Sequence, residues 1–144
     1  MEIATGYFAR AKQYAEKGYA LVTIAKVSPW FLPKGLNVYP FGCFAPTKEI
    51  LALKDSPDKY TRLYKQEILS KLSPVQTFRS LYLIAQQEKT DKVILLCYES
   101  PDKFCHRHLV AEWLTEKLGQ RVEECTLSKK SGQYSLSEES EASN

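Results

Sequence analysis

An α/β domain of three layers, with a small and mostly parallel sheet flanked by helices, follows from three observations in the 144-residue sequence. Val93, Ile94, Leu95 and Leu96 form an unbroken apolar run, the pattern of a strand covered on both faces of a parallel sheet. A second strand-like run, Tyr19 to Val27 (YALVTIAKV), is rich in β-branched and aromatic residues. Segments with apolar residues at helical spacing separate these runs, and a strand, helix, strand succession makes a right-handed parallel unit the default.

Taken in order, Tyr7 to Lys17 places Tyr7, Phe8, Ala11, Tyr14 and Ala15 at helical spacing and stops at Gly18, which predicts a first helix. The strand over Tyr19 to Val27 runs into Ser28-Pro29-Trp30 and then a long loop to Pro46, punctuated by Pro33, Pro40, Gly35 and Gly42. Irregular connections of that length are usually functional or disordered, and Trp30, Phe31, Tyr39, Phe41 and Phe44 argue against disorder. The aromatics either fill space beneath the loop or make it a lid or pocket wall. Thr47 caps a short helix to about Lys54. A stronger helix from Asp58 to Leu72 sets Tyr60, Leu63, Tyr64, Ile68 and Leu72 on one face and Lys59, Arg62, Lys65 and Lys71 on the other. Ser73-Pro74 opens the next helix, to about Lys89, with Phe78, Leu81, Tyr82 and Ala85 as its apolar stripe. After the central strand, a helix from about Asp102 to Leu118 and a last strand from Gln120 to Leu127, containing Val122 and Cys125, complete a single domain over 1–127. Residues 128–144 are polar and rich in Ser and Glu, as expected of a mobile tail.

Composition excludes several classes. With 44% hydrophobic and 26% charged residues the chain reads as an ordinary globular domain, and no apolar run is long enough to span a bilayer. The formal charge is +3; the last seventeen residues set Lys129 and Lys130 against Glu138, Glu139 and Glu141, a net −1, which leaves +4 on the body. That is too little to argue nucleic-acid binding from charge alone. Cys43, Cys97, Cys105 and Cys125 are scattered, and the N-terminus lacks a secretory pattern, so the thiols read as reduced and the protein as cytoplasmic.

Chemistry-bearing residues concentrate in Lys92 to His108 (KVILLCYESPDKFCHRH), which holds two of the four cysteines and both histidines. Ser100 with Pro101 next to it can cap the following helix, which puts the cluster at a helix N-terminus and at the carboxyl end of a strand, where open α/β sheets bind ligands. By helical angle, His106 and Arg107 aim at the crevice above Cys97 and Glu99, while Cys105 and His108 point away. The functional reading assigns Cys97 or Cys105 as nucleophile, Glu99 and His106 to proton movement, and Arg107 with backbone amides to holding an anion. The plain alternatives are a core thiol at Cys97, a solvated Glu99 and an Arg107 paired with a carboxylate. Tyr98, Ser28 and Trp30 complete the expected ligand-binding set, the aromatics by stacking on a base. Cys97, Cys105 and His106, with Cys43 from the loop, are also soft ligands, but the C-x7-C-H spacing lacks the C-x-x-C knuckle of structural zinc sites. The sequence therefore assigns no metal and no cofactor.

With LLCYE at Leu95 to Glu99, CHR at Cys105 to Arg107 and LVAEWL at Leu109 to Leu114, the chain resembles the family known as domain of unknown function 488. TGYFARAK from Thr5 and VTIAKVSPWF from Val22 are similar to that family's opening helix and first strand, so the resemblance covers most of 1–127. It implies a compact α/β domain with the cysteine and CHR elements grouped at one edge, and a bacterial, archaeal or phage source. It leaves substrate and reaction open.

Three functions compete on this sequence. The first is a small enzyme acting on a phosphate-bearing or nucleotide-like ligand, and the second a non-catalytic binder of a nucleotide-derived signal or metabolite in the same crevice. The third, less favoured, is a nucleic-acid-associated protein using Lys59, Arg62, Lys65 and Lys71. A small anionic ligand is the expected partner, with no membrane; oligomeric state is not legible.

Overall fold

The computed structural model describes residues 1–100 and 103–127. Its centre is a five-stranded sheet in the order β3-β2-β4-β1-β5, with every adjacent pair parallel. The strands are β1 (Glu2–Tyr7), β2 (Ala20–Thr23), β3 (Val38–Pro40), β4 (Lys92–Cys97) and β5 (Glu123–Glu124). The helices are α1 (Ala11–Glu16), α2 (Lys48–Leu51), α3 (Pro57–Glu67), α4 (Pro74–Gln87) and α5 (His106–Leu118). The expected three-layer α/β arrangement is what forms.

β4 is central: after Lys92 it is apolar from Val93 to Cys97, and those five residues are buried on both sides. Its side chains alternate between two cores. Val93, Leu95 and Cys97 join Tyr60, Tyr64, Leu81, Ala85, Val110, Trp113 and Leu114 beneath α3, α4 and α5. Ile94 and Leu96 join Phe8, Ala11 and Tyr14 beneath α1 on the opposite face. Short edges limit further pairing, since Pro40 lacks a donor in edge strand β3 and β5 consists of two glutamates.

The helix signals act locally as expected. The Thr47 hydroxyl accepts from Ile50 N–H at 3.2 Å to start α2, and Ser73 accepts from Gln76 N–H at 3.2 Å to start α4, with Pro74 in its first turn. The longer helix expected to Leu72 ends at Glu67, with Ile68 as its C-cap, and a 3-10 turn over Leu69–Lys71 follows.

Three expectations need correction. The chain opens with strand β1, not with a helix from Tyr7; a 3-10 turn over Phe8–Arg10 precedes a shorter α1. EIATGY carries no strong strand pattern because Gly6 stands where Tyr14 needs space: a Cβ there would lie 2.6 Å from its ring. The strand expected to Val27 stops pairing at Thr23, and Ala25 to Val27 bend away above the sheet rim. The long loop contains β3 and a 3-10 turn at Gly42–Phe44, whose Phe44 is core while Trp30 is 93% exposed. The expected tail, 128–144, lies outside the described residues. No helix among the described residues is long and apolar enough to cross a membrane.

Tyr14 is wholly buried and cannot retreat, so Gly6→Ala is expected to destabilise the fold by about 1–3 kcal/mol through overpacking. In urea unfolding, Gly6→Ala combined with Tyr14→Leu should cost clearly less than the sum of the two single changes. Strict additivity would show that the contact does not constrain β1.

Candidate functional site

The topology leaves a crevice at one place on the rim. From β2 the chain departs through the long loop to β3 at one edge, whereas from its neighbour β4 it departs through α5, over β1, to β5 at the other. Adjacent strands whose connections diverge in this way open a gap at their carboxyl ends. Residues 25–27 after β2 and 98–99 after β4 border it, with Cys97 at the end of β4 and the start of α5 at its base.

α5 begins later than expected. Ser100 does not cap it; the helix starts at His106, with Cys105 in the N-cap position and extended backbone (φ −153°, ψ 145°), while Pro101 and Asp102 lie outside the described residues. Lys103 N–H donates to Ser100 O at 3.0 Å, and Cys105 follows beside the end of β4. Because Cys105 precedes the helix, its direction does not follow helical spacing: it is buried and turned inward, joined sulfur to sulfur with Cys97, eight residues earlier. The expectation that Cys105 points away from the crevice is thereby corrected, as is the reading of Cys97 and Cys105 as reduced thiols: they form a disulfide, and Cys43 and Cys125 are free.

Arg107 is the anchor of this arrangement and is wholly buried. Its Nε and Nη2 donate to the two carboxylate oxygens of Glu124 at 3.0 and 3.1 Å, a forked pair. Its Nη1 donates to Glu99 O at 2.6 Å and to the Cys97 sulfur at 3.0 Å. Four of the five guanidinium N–H groups are thus committed, and the Tyr7 ring lies 5.9 Å away on another side. The Thr5 hydroxyl donates to Glu124 at 2.8 Å and fixes the carboxylate. The anion that Arg107 holds is Glu124.

His106 is buried against the Tyr64 ring at 5.6 Å, and Tyr64 is itself fixed by donating to Phe44 O at 2.6 Å. One imidazole nitrogen, Nε2, lies 2.8 Å from Ile24 O. A carbonyl only accepts, so Nε2 carries the hydrogen. Burial pulls the His106 pKa down to about 4, so the ring is neutral near pH 7 and Nδ1 keeps its lone pair, 3.9 Å from the Cys105 sulfur.

Cys97, Cys105 and His106 form the floor of a cavity of about 330 Å³. Tyr60 and Phe104, edge to face at 4.9 Å, make an aromatic wall; Val27, Pro46 and Leu51 extend it; exposed Lys26, Lys54 and Glu99 sit at the mouth. The Tyr98 hydroxyl donates to Val27 O at 2.6 Å, holding the residues after β2 in place, while its ring packs edge-on against Phe8. Of the eight residues singled out from the sequence, five line the cavity: Cys97, Tyr98, Glu99, Cys105 and His106. Arg107 lies behind the sulfurs, and neither Ser28 nor Trp30 reaches the cavity; Trp30 instead packs edge-on against Phe31. Sequence reasoning missed Glu124, Lys26, Lys54, Tyr60 and Phe104. Only Phe104, adjoining Cys105, carried a signal.

Breaking a buried ion pair by removing one partner strands the other charge. Glu124→Ala is therefore expected to cost about 3–5 kcal/mol in chemical denaturation, with the double variant Arg107→Met/Glu124→Leu costing less. Equal losses in both would show that the pair does not hold α5 to the sheet edge.

The comparisons with known proteins bear on the chain that builds this site. A family model described as the active DUF488-N3 subclade, DUF488-N3a, matches residues 12–118, which include both cysteines of the cavity floor, His106 and Arg107. No curated protein and no solved structure matches. The match spans well over half of the sequence, and the chain belongs to the DUF488-N3a family.

Proposed function

We propose that the protein is an enzyme acting on a small, phosphate-bearing, nucleotide-like molecule held in this crevice. One observation carries the proposal: a cavity with chemistry-bearing groups at its floor, an aromatic wall and two lysines at its mouth. Tyr60 and Phe104 offer flat apolar contact to a heterocyclic ring, and Lys26 and Lys54 outweigh Glu99 in charge where a phosphate would emerge. Cys97, Cys105, His106 and Glu99 are the groups in reach of such a ligand; Arg107 acts through Cys97 as a positioning residue, and Tyr98 positions the residues that follow β2. The description of the family as an active subclade agrees with catalysis.

A non-catalytic binder in the same cavity is the second reading, and the saturation of Arg107 by Glu124 favours it. The strongest anion-binding group of the region is then structural. Nucleic-acid binding has less support: Lys59, Arg62, Lys65 and Lys71 are exposed, but Lys65 pairs with Glu112 at 3.4 Å.

A thermal-shift panel of nucleotides and sugar phosphates, with recovery of each compound by mass spectrometry, tests the proposal. A ligand at about 100 times its Kd should stabilise the fold by about 2.7 kcal/mol. Lys26→Glu/Lys54→Glu should weaken it about tenfold or more, equivalent to about 1.4 kcal/mol. Chemically altered ligand, lost in Glu99→Gln, identifies the enzyme; a ligand returned intact identifies the binder. Absence of any shift across the panel contradicts both.

A further inference from the structure

The two sulfurs and the imidazole at the cavity floor have a property that neither nucleophilic nor proton-transfer roles require. All three residues are buried, and one ligand atom from each lies within 4.8 Å of the others. Two thiolate sulfurs and an imidazole nitrogen are the donor set that suits a soft or borderline divalent ion such as zinc. The sequence spacing argued against a metal because it lacks a tight knuckle. The fold supplies by convergence what spacing does not, since Cys105 and His106, at the start of α5, lie against Cys97 at the end of β4.

The surroundings of each donor fit ligation. Nε2 of His106 donates to Ile24 O at 2.8 Å, which fixes the ring and leaves Nδ1 as the free donor atom on the side of Cys105. A second nitrogen bonded to a backbone carbonyl is the usual outer-shell partner of a metal-bound histidine. Arg107 donates to the Cys97 sulfur at 3.0 Å, a hydrogen bond that favours the thiolate form, while Glu124 balances the guanidinium charge. The Cα atoms of Cys97 and Cys105 are 7.5 Å apart. Disulfides usually span about 4.4–6.8 Å, whereas an ion between the two sulfurs lengthens the bridge and suits the wider spacing.

We infer that, with the two sulfurs reduced, Cys97, Cys105 and His106 bind one zinc-type divalent cation, whose fourth position opens into the cavity. Loading requires the dithiol form. A phosphine reductant supplies two electrons to the Cys97–Cys105 bond, leaves as phosphine oxide, and the two thiols give up their protons as the cation binds. Three protein ligands with one open position are the pattern of catalytic rather than structural zinc. The site stands on the three side chains alone; that its open position meets a nucleotide-like ligand rests on the function proposed above.

The test uses the full chain, reduced with a phosphine under anaerobic conditions, freed of metal and titrated with Zn²⁺ and with Co²⁺. One zinc per chain by elemental analysis and a sulfur-to-cobalt charge-transfer absorption are expected. Cys97→Ser and Cys105→Ser should each weaken binding about 100-fold or more, while Cys43→Ser/Cys125→Ser leaves it unchanged. Circular dichroism establishes that each variant is folded, and the wild-type stoichiometry decides the matter if one is not. Folded, fully reduced wild type that takes up no stoichiometric metal overturns the site, as does undiminished binding in folded Cys97→Ser and Cys105→Ser. The nucleotide panel, repeated on metal-free and zinc-loaded protein, separates the two proposals. Nucleotide binding by protein that takes up no zinc overturns the metal site alone. Zinc bound at these residues with no ligand found by either form supports the metal site and counts against the nucleotide reading.

Discussion

The buried guanidinium of Arg107 is the constraint on which the rest of the site depends. It gathers both carboxylate oxygens of Glu124 from β5, one backbone carbonyl from the segment after β4 and the sulfur at the end of β4 itself. A charge removed from water is tolerated only when its donors are satisfied, so each of these groups has to be where it is. The first turn of α5 is consequently pinned over the sheet rim. With Arg107 fixed, its neighbours in the chain, Cys105 and His106, have no choice but to face the crevice between β2 and β4.

Two cores hold that rim in place. Alternate residues of β4 face α3, α4 and α5 on one side and α1 on the other, so the strand bearing Cys97 is clamped on both faces. His106 extends the same logic from side chain to backbone. Its bond to Ile24 O takes up the carbonyl just beyond the paired part of β2, where the chain turns away and forms the facing wall. Packing, hydrogen bonding and the divergence of two neighbouring strands thus produce a single hollow lined by groups of very different character.

Much of the fold was legible because it depends on local pattern. The apolar run of β4, the caps at Thr47 and Ser73 and the buried face of α3 are properties of short stretches, as are Leu81 and Ala85 of α4; Tyr82, expected in the apolar stripe of α4, is instead 45% exposed, and Thr77 is buried on that helix. β1 was not legible, since Gly6 answers to Tyr14 across the sheet and weakens the strand pattern where the strand is needed. Of the site, the two tracts Cys97–Glu99 and Cys105–Arg107 could be read as one cluster. The partners that define their roles could not: Glu124, Ile24 O and Tyr60 come from distant parts of the chain, with nothing nearby in sequence to mark them. The inward turn of Cys105 was misjudged because helical angles were extended one residue past the true start of α5.

The central claim is that residues after β2 and β4 and before α5 enclose one ligand cavity with Cys97, Cys105 and His106 at its floor. A crystal structure of the full chain grown with a saturating nucleoside monophosphate examines it most directly. The account places the base against Tyr60 and Phe104, the phosphate near Lys26 and Lys54, and the nearest ligand atoms over the two sulfurs. A nucleotide bound on another face, or a rim in which the CYE and CHR tracts stand apart with no hollow between them, would contradict it.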